Sequence, residues 1–301
     1  MNKYVDHRQM EILGNLIENS ICLLIAVCKT YIEYLLIDFK RAFSAHNVLL
    51  FSLSNGACIQ CIVAALWLLS VTIYAKREAN HTESHCIHTV SLLRVHLPVV
   101  LVSNVIILSI LPVPSMEKQL PFLENMTRDP VSLAQFTQNL VAYRLLYDIF
   151  FYCGHRLLHT NLLYPLHATH HQHRLPTLAT NYQFSCVDLF VEGILPAMCA
   201  GTVLQCTTHT FGYMQATLFA VYVEWYQIGS HSSKSMPVFS ALPPLSLIYN
   251  GVLLPLKTKE MREHDLVRFH TKHHKTVRLN FGITPWIDWL LAPPKGRMPP
   301  P

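Results

Sequence analysis

Long apolar segments dominate this 301-residue chain, and they constrain its fold more than any other feature. Two of them, Val48 to Tyr74 and Val90 to Val113, exceed the length of about 20 residues that a helix needs to cross a bilayer. Overall, 51% of the residues are hydrophobic and only 14% are charged, which favours lipid over water as the surrounding solvent. We therefore expect an all-α fold, a multi-span integral membrane helical bundle.

Other apolar segments extend this pattern. Three further candidate spans are Val131 to Phe151, which polar residues interrupt, Val187 to Leu204 and Phe211 to Ile228. The opening segment Leu13 to Ile37 contains charged residues and fits either a crossing helix or an interfacial one. Leu242 to Leu256 is short and broken by prolines, so we interpret it as a re-entrant or interfacial segment.

Three histidine clusters stand out against this apolar background. Their spacings of three and four residues place side chains on one face of a helix, and neutral imidazole is the commonest metal ligand in proteins. The clusters are His155 and His159; His167, His170 and His171; and His270, His273 and His274. Eight imidazoles exceed the needs of one tetrahedral zinc, so two metal ions sharing them is the simplest interpretation.

Topology allows the three clusters to meet. The first two follow the span that ends near Phe151, and the hairpin from Val187 to Ile228 leaves that side of the membrane and returns to it. Lysines and arginines surround the third cluster, whereas the hairpin loop Gln205 to Thr210 has none, so the positive-inside rule places the histidines in a cytosolic cap. Lys40 and Arg41 contradict this orientation if the opening segment crosses, which favours an interfacial position for it.

The ligand type narrows the choice of metal without deciding it. Imidazoles suit iron, copper, nickel or zinc. Oxygen chemistry requires a redox metal with an open coordination position, and iron next to a lipid-facing cavity meets that requirement. The net charge of +5 is modest, and the basic residues form no stripe with interleaved aromatics, so we expect no nucleic acid partner.

Four sequence runs around these histidines resemble the sterol desaturase and fatty acid hydroxylase superfamily. They are DIFFYCGHRLLHT from Asp148, LHATHHQHRLPT from Leu166, GSHSSK from Gly229 and FHTKHHKTVRLNFG from Phe269. The resemblance divides the chain into an N-terminal membrane-spanning region at 1–130, a fatty acid hydroxylase-like catalytic domain at 131–292 and a tail at 293–301.

The resemblance implies a multi-pass enzyme of the endoplasmic reticulum membrane, with its histidine boxes facing the cytosol. It implies that the eight histidines bind two iron ions and that O₂ is the co-substrate. His231 would be a ninth ligand, although an interfacial turn residue is the alternative interpretation. Electrons from NAD(P)H would arrive through a separate donor, cytochrome b5 or its reductase, because the chain lacks the His-Pro-Gly-Gly signature of a fused cytochrome b5 domain.

Two further residues are candidates for indirect roles. Asp148 precedes His155 on the same helical face, where it would either orient the imidazole of a ligand or mark the water boundary. Asn280 would be a weak metal partner or a capping residue of its loop.

The chain also departs from the superfamily pattern. FSCVDLFVEG stands where many members carry a His-Pro-hydrophobic-Glu stretch, and the usual C-terminal motif is reduced to Trp286, Asp288 and Trp289. We expect these departures to affect the substrate more than the metal. Hydroxylation of a sterol is favoured over that of a fatty acyl chain or sphingolipid. Desaturation is the enzymatic alternative, and a membrane metal-binding or transport protein is the non-enzymatic one.

Overall fold

The structure is a computed structural model. It describes residues 3–36, 45–73, 130–178, 180–208, 213–232 and 266–291, together with Pro98, Val102 and Phe211. Every regular element within these ranges is a helix. Apart from Pro98 and Val102, the expected segments Val90 to Val113 and Leu242 to Leu256 lie outside the described residues.

Long helices form the body of the described structure, and each corresponds to a segment predicted from hydropathy. They are α1 (Lys3–Leu36), α2 (Ala45–Val71), α3 (Pro130–Leu158), α5 (Cys186–Thr208) and α6 (Tyr213–Ser230). Two apolar stretches, Leu49–Val71 in α2 and Cys186–Thr208 itself, are long enough to cross a membrane. Leu49, Leu53 and Leu68 are each more than half exposed, so α2 presents an apolar outer surface suited to lipid.

Aromatic side chains and buried amides hold α3 and α6 together. The ring of Tyr143 packs on Phe211 and Phe219 with centroid distances of 5.6 and 5.2 Å. Beside them, Asn139 Nδ2 donates a hydrogen bond of 3.0 Å to Gln215 Oε1, which fixes the two helices more specifically than apolar packing alone. α1 packs on α2 and α6, while α5 packs on α3.

Short helical segments carry the second and third histidine clusters over one end of this body. α4 (Tyr164–His167) has a proline in its first turn, where proline is tolerated, and a 3₁₀ turn follows at His170–Gln172. The third cluster lies on α7 (Leu266–Thr276), and α8 (Pro285–Leu291) closes the described chain. The carboxyl ends of α3 and α6 reach the same place, because His155 and His231 both lie among these segments.

Candidate metal centre

Nine buried or half-buried histidines lie together in two adjoining groups. Within each group the candidate donor nitrogens are all within 4.8 Å of one another. The five-histidine group consists of His155, His159, His167, His171 and His273, and the four-histidine group of His170, His231, His270 and His274. The set is the eight histidines of the three clusters plus His231, each from a sequence run singled out above.

Adjacent histidines belong to different groups because successive residues of a helix point about 100° apart. In α7, His270 and His274 are one turn apart and share the four-histidine group, whereas His273 points to the other. The second cluster divides in the same way between His171 and His170. The H-x-x-H-H pattern therefore divides its histidines between the two groups.

The spacing of the imidazole nitrogens fits metal ions. In the five-histidine group, Nε2 of His155 is 3.1 Å from that of His159, and Nε2 of His273 is 3.1 Å from that of His171. In the four-histidine group, Nε2 of His270 is 3.0 Å from those of His231 and His274. Two ligands with metal bonds of about 2.1 Å at a right angle lie about 3.0 Å apart, so both groups match that geometry.

Hydrogen bonds on the far side of the rings fix which nitrogen faces the centre. The Nδ1 atoms of His155 and His273 lie 2.7 Å from the carbonyl oxygens of Phe281 and Leu279, and Nδ1 of His231 lies 2.9 Å from the carbonyl oxygen of Gln227. A carbonyl only accepts, so each Nδ1 carries the proton and each Nε2 keeps its lone pair. Nitrogen lone pairs that converge in a buried space are an arrangement suited to binding a cation.

Burial also keeps these imidazoles in the neutral form that binds metals. It is the main cause that lowers the pKa of His273 to about 3 and that of His231 to about 4. For His155, His270 and His274, burial and the neighbouring imidazoles together hold the pKa well below the usual value. The site is therefore ready to accept cations at neutral pH.

The loop after α7 supplies two of the carbonyl acceptors. Asn280 has a left-handed backbone with φ of 61° and donates from Nδ2 to the carbonyl oxygen of Phe269 at 2.9 Å, which is the loop-capping role rather than contact with a metal. Asp288 accepts hydrogen bonds from the amides of Phe281 and Gly282 at 3.0 and 2.8 Å. These bonds hold the Phe281 carbonyl against His155.

Asp148 contributes to the centre by a route that neither sequence interpretation anticipated. It is 1% exposed, so it does not mark a water boundary. Its carboxylate accepts from Thr284 Oγ1 and from Trp286 Nε1, the latter at 3.1 Å, and lies 3.2 Å from Arg144. Nδ1 of His155 donates to the Phe281 carbonyl oxygen, so it is not available to Asp148. Asp148 thus fastens the C-terminal segment to α3.

Two acidic residues missed as site residues lie against the five-histidine group. Asp188 Oδ1 is 2.9 Å from His167 Nδ1, with both side chains fully buried, and Glu192 Oε1 is 3.4 Å from His155 Nε2. Both belong to the FSCVDLFVEG stretch, which departs from the superfamily pattern. We expected this departure to affect the substrate more than the metal. Two carboxylates inside an apolar candidate span were a signal, because buried acids in such segments are expensive and usually functional.

A π-helical segment, Leu189–Ile194, brings Glu192 to this position. It packs closely against α3 at Gly154, where an added Cβ would lie 3.0 Å from both Val191 Cγ1 and the Val191 carbonyl oxygen. Single π-helical turns recur at functional sites because the extra residue redirects a side chain. Gly154 therefore permits the close approach of the π segment beside His155.

Two apolar helices of this chain are long enough to cross a bilayer, and its buried imidazoles are spaced for metal ions. These are the features of a membrane metalloenzyme. The family model for fatty acid hydroxylases matches residues 140–292, just over half of the chain. The chain belongs to the fatty acid hydroxylase family, and the resemblance seen in its histidine runs is confirmed. The family implies an oxidoreductase that acts on a lipid. No curated protein and no solved structure matches the chain.

Proposed function

We propose that this protein is an O₂-dependent lipid hydroxylase with a dinuclear iron centre. The observation that carries the proposal is the arrangement of nine histidines in two adjoining groups, with Nε2 atoms 3.0 to 3.1 Å apart. One iron would be held by the five-histidine group and the other by the four-histidine group. When bound, the irons supply the capacity to reduce O₂ and oxidise an unactivated C–H bond.

The protein's own residues keep the centre assembled and selective. The carbonyls of Leu279, Phe281 and Gln227 hold the protons of three rings at Nδ1, so the lone pairs stay directed at the metal through the reaction. Apolar packing around α3 and α6 excludes water from the oxidising site.

The overall reaction balances with two electrons from outside. One oxygen atom of O₂ enters the C–H bond and the other leaves as water. NAD(P)H supplies two electrons through a separate donor, and of the two protons required one comes from NAD(P)H and the other from the solvent. We propose cytochrome b5 or its reductase as that donor, an endoplasmic-reticulum location and a cytosolic position for the histidines.

The surface of α7 carries cations directly outside the centre. On α7, Arg268, Lys272 and Lys275 are exposed, as is Arg278 just past the end of the helix, while the opposite face of the helix holds three site histidines. We propose that this surface touches anionic lipid headgroups, and an acidic electron donor is the alternative partner.

We propose a sterol as the substrate ahead of a fatty acyl chain or sphingolipid. Desaturation is the enzymatic alternative, since removal of a second hydrogen differs from hydroxyl transfer only in how the substrate is placed. For a metal transporter, ligands would be distributed along a path through the bilayer. In the described ranges, the candidate metal-binding groups are concentrated at one end of the helices.

The test combines metal analysis with lipid profiling. We expect the purified protein to contain about two irons per chain, a count that follows from two ligand groups. Cells lacking the protein should accumulate a sterol or acyl precursor. His170→Ala and His273→Ala each remove one ligand from a different group, and both should abolish the lipid change while membrane insertion persists. A protein without iron and without any effect on cellular lipids would refute the proposal.

A further inference from the structure

Glu192 is a buried acid that lies against two imidazoles of the five-histidine group. It is 5% exposed, and its Oε1 atom has no hydrogen-bond partner. Oε1 lies 3.4 Å from Nε2 of His155 and 3.6 Å from Nδ1 of His167. Buried carboxylates are normally paired with a cation or bound to a metal. The surroundings of Glu192 therefore call for a positive charge.

The neighbouring side chains do not provide that charge. Asp188 adds a second buried acid, with Oδ1 against His167 and Oδ2 without a hydrogen-bond partner. Arg144 lies with Asp148 instead. Among the ion pairs of the described ranges, those of Glu192 involve imidazoles alone.

The position of Oε1 matches that of a metal ligand. His155 uses Nδ1 for the Phe281 carbonyl, so the nitrogen facing Glu192 is the one with the lone pair. Two donors on one ion, with bonds of about 2.1 Å, lie about 3.0 Å apart at a right angle and about 3.4 Å apart at the tetrahedral angle. The distance of 3.4 Å between Oε1 and Nε2 falls within that range.

We propose that Glu192 supplies one carboxylate oxygen to the ion bound by the five-histidine group, on the side of that group formed by His155 and His167. The inference rests on the proposed function only in requiring that this group binds a metal. Tyr147 supports the placement, because its hydroxyl donates to the main-chain carbonyl of Glu192 at 3.2 Å. The π-helical segment thus holds both the backbone and the carboxylate of Glu192 at the centre.

This ligand makes the two ions unequal. The five-histidine group would combine imidazoles with a carboxylate, whereas the four-histidine group offers imidazoles alone. The negative charge of Glu192 would favour the more oxidised state of an ion bound beside it.

The test uses the full-length protein in detergent, loaded anaerobically with Fe²⁺, and compares Glu192→Gln with Glu192→Asp. We expect two distinct Mössbauer doublets in the wild-type protein. Glu192→Gln should shift or remove one doublet and weaken the binding of one iron by about 10- to 100-fold, the range seen when a group that supports a metal site is lost. Glu192→Asp retains a carboxylate and should restore part of that affinity.

Glu33→Gln is the matched control, because it neutralises another buried acid, which pairs with Lys29 in α1. It should keep both irons and both doublets. Wild-type stoichiometry, affinity and spectrum in Glu192→Gln would overturn the inference while leaving the proposed function intact, as would a third metal ion per chain bound at Glu192. A wild-type protein that binds no metal at all would refute both.

Discussion

Replacing Asp188 by asparagine should weaken one metal site and spare the other. Asp188 Oδ1 and His167 Nδ1 lie 2.9 Å apart, and both side chains are fully buried. The carboxylate orients the ring and leaves His167 Nε2, which has no hydrogen-bond partner, as the lone-pair nitrogen. The main chain should not move, because the bond from the Asp188 amide to Ser185 Oγ at 3.1 Å does not involve the Asp188 side chain.

The expected loss follows from the two carboxylate oxygens. An asparagine oxygen can still accept a hydrogen bond from His167, but that bond no longer involves a charged acceptor. Hydrogen bonds to charged groups contribute about 1.5–3 kcal/mol, and part of this contribution is lost. The new NH₂ group would occupy the place of Oδ2, which has no hydrogen-bond partner, and a buried unsatisfied donor costs about 1–3 kcal/mol. We therefore expect metal binding by the five-histidine group to weaken about 10- to 100-fold, or by about 1.4–2.8 kcal/mol.

The assay is a competition between the detergent-solubilised protein and a chelator for Co²⁺, followed by optical absorption. The four-histidine group is an internal control, because Asp188 contacts His167 of the other group. Only the affinity of one site should fall in Asp188→Asn. Equal weakening of both sites, or unchanged affinity at both, would refute the argument that Asp188 acts through the His167 ring.

Three further outcomes are expected. Gly154→Ala places a methyl group 3.0 Å from the carbonyl oxygen of Val191 and should destabilise the protein by about 1–3 kcal/mol; an unchanged melting temperature would contradict this close contact. Burial lowers the pKa of His231 to about 4, below its unfolded value of about 6.5, so the chelated protein should lose stability as the pH falls from about 6.5 towards 4. Thermal unfolding between about pH 5 and pH 8 tests this, and stability that is constant or rises on acidification would oppose it. The glycosylation sequons at Asn80 and Asn125 lie outside the described residues. The proposed topology places Asn80 in the cytosol and Asn125 in the lumen. Glycosidase treatment should therefore reveal a glycan on Asn125, whereas a glycan on Asn80 would reverse that topology.

The sequence alone was sufficient for much of the helical framework and for the identity of the site histidines. Both are encoded locally: apolar runs predict long helices, and spacings of three and four residues align side chains. The segment Val187 to Leu204, for example, corresponds to α5 within a few residues at each end. His231 has no such spacing, and the resemblance to a family was needed to single it out.

Tertiary structure decided how these residues are used. His273 and His274 point apart because they are successive residues of a helix, and the packing of α7 on α6 decides which group each of them joins. Glu192 reaches the centre through a π-helical turn that hydropathy does not reveal, and Asp188 directly precedes that turn. The Phe281 carbonyl faces His155 only because Asp288 and Asp148 fasten its loop. The spacing of the three histidine clusters is thus a local property of the sequence, whereas ring orientation and the placement of Asp188 and Glu192 depend on contacts between residues far apart in the chain.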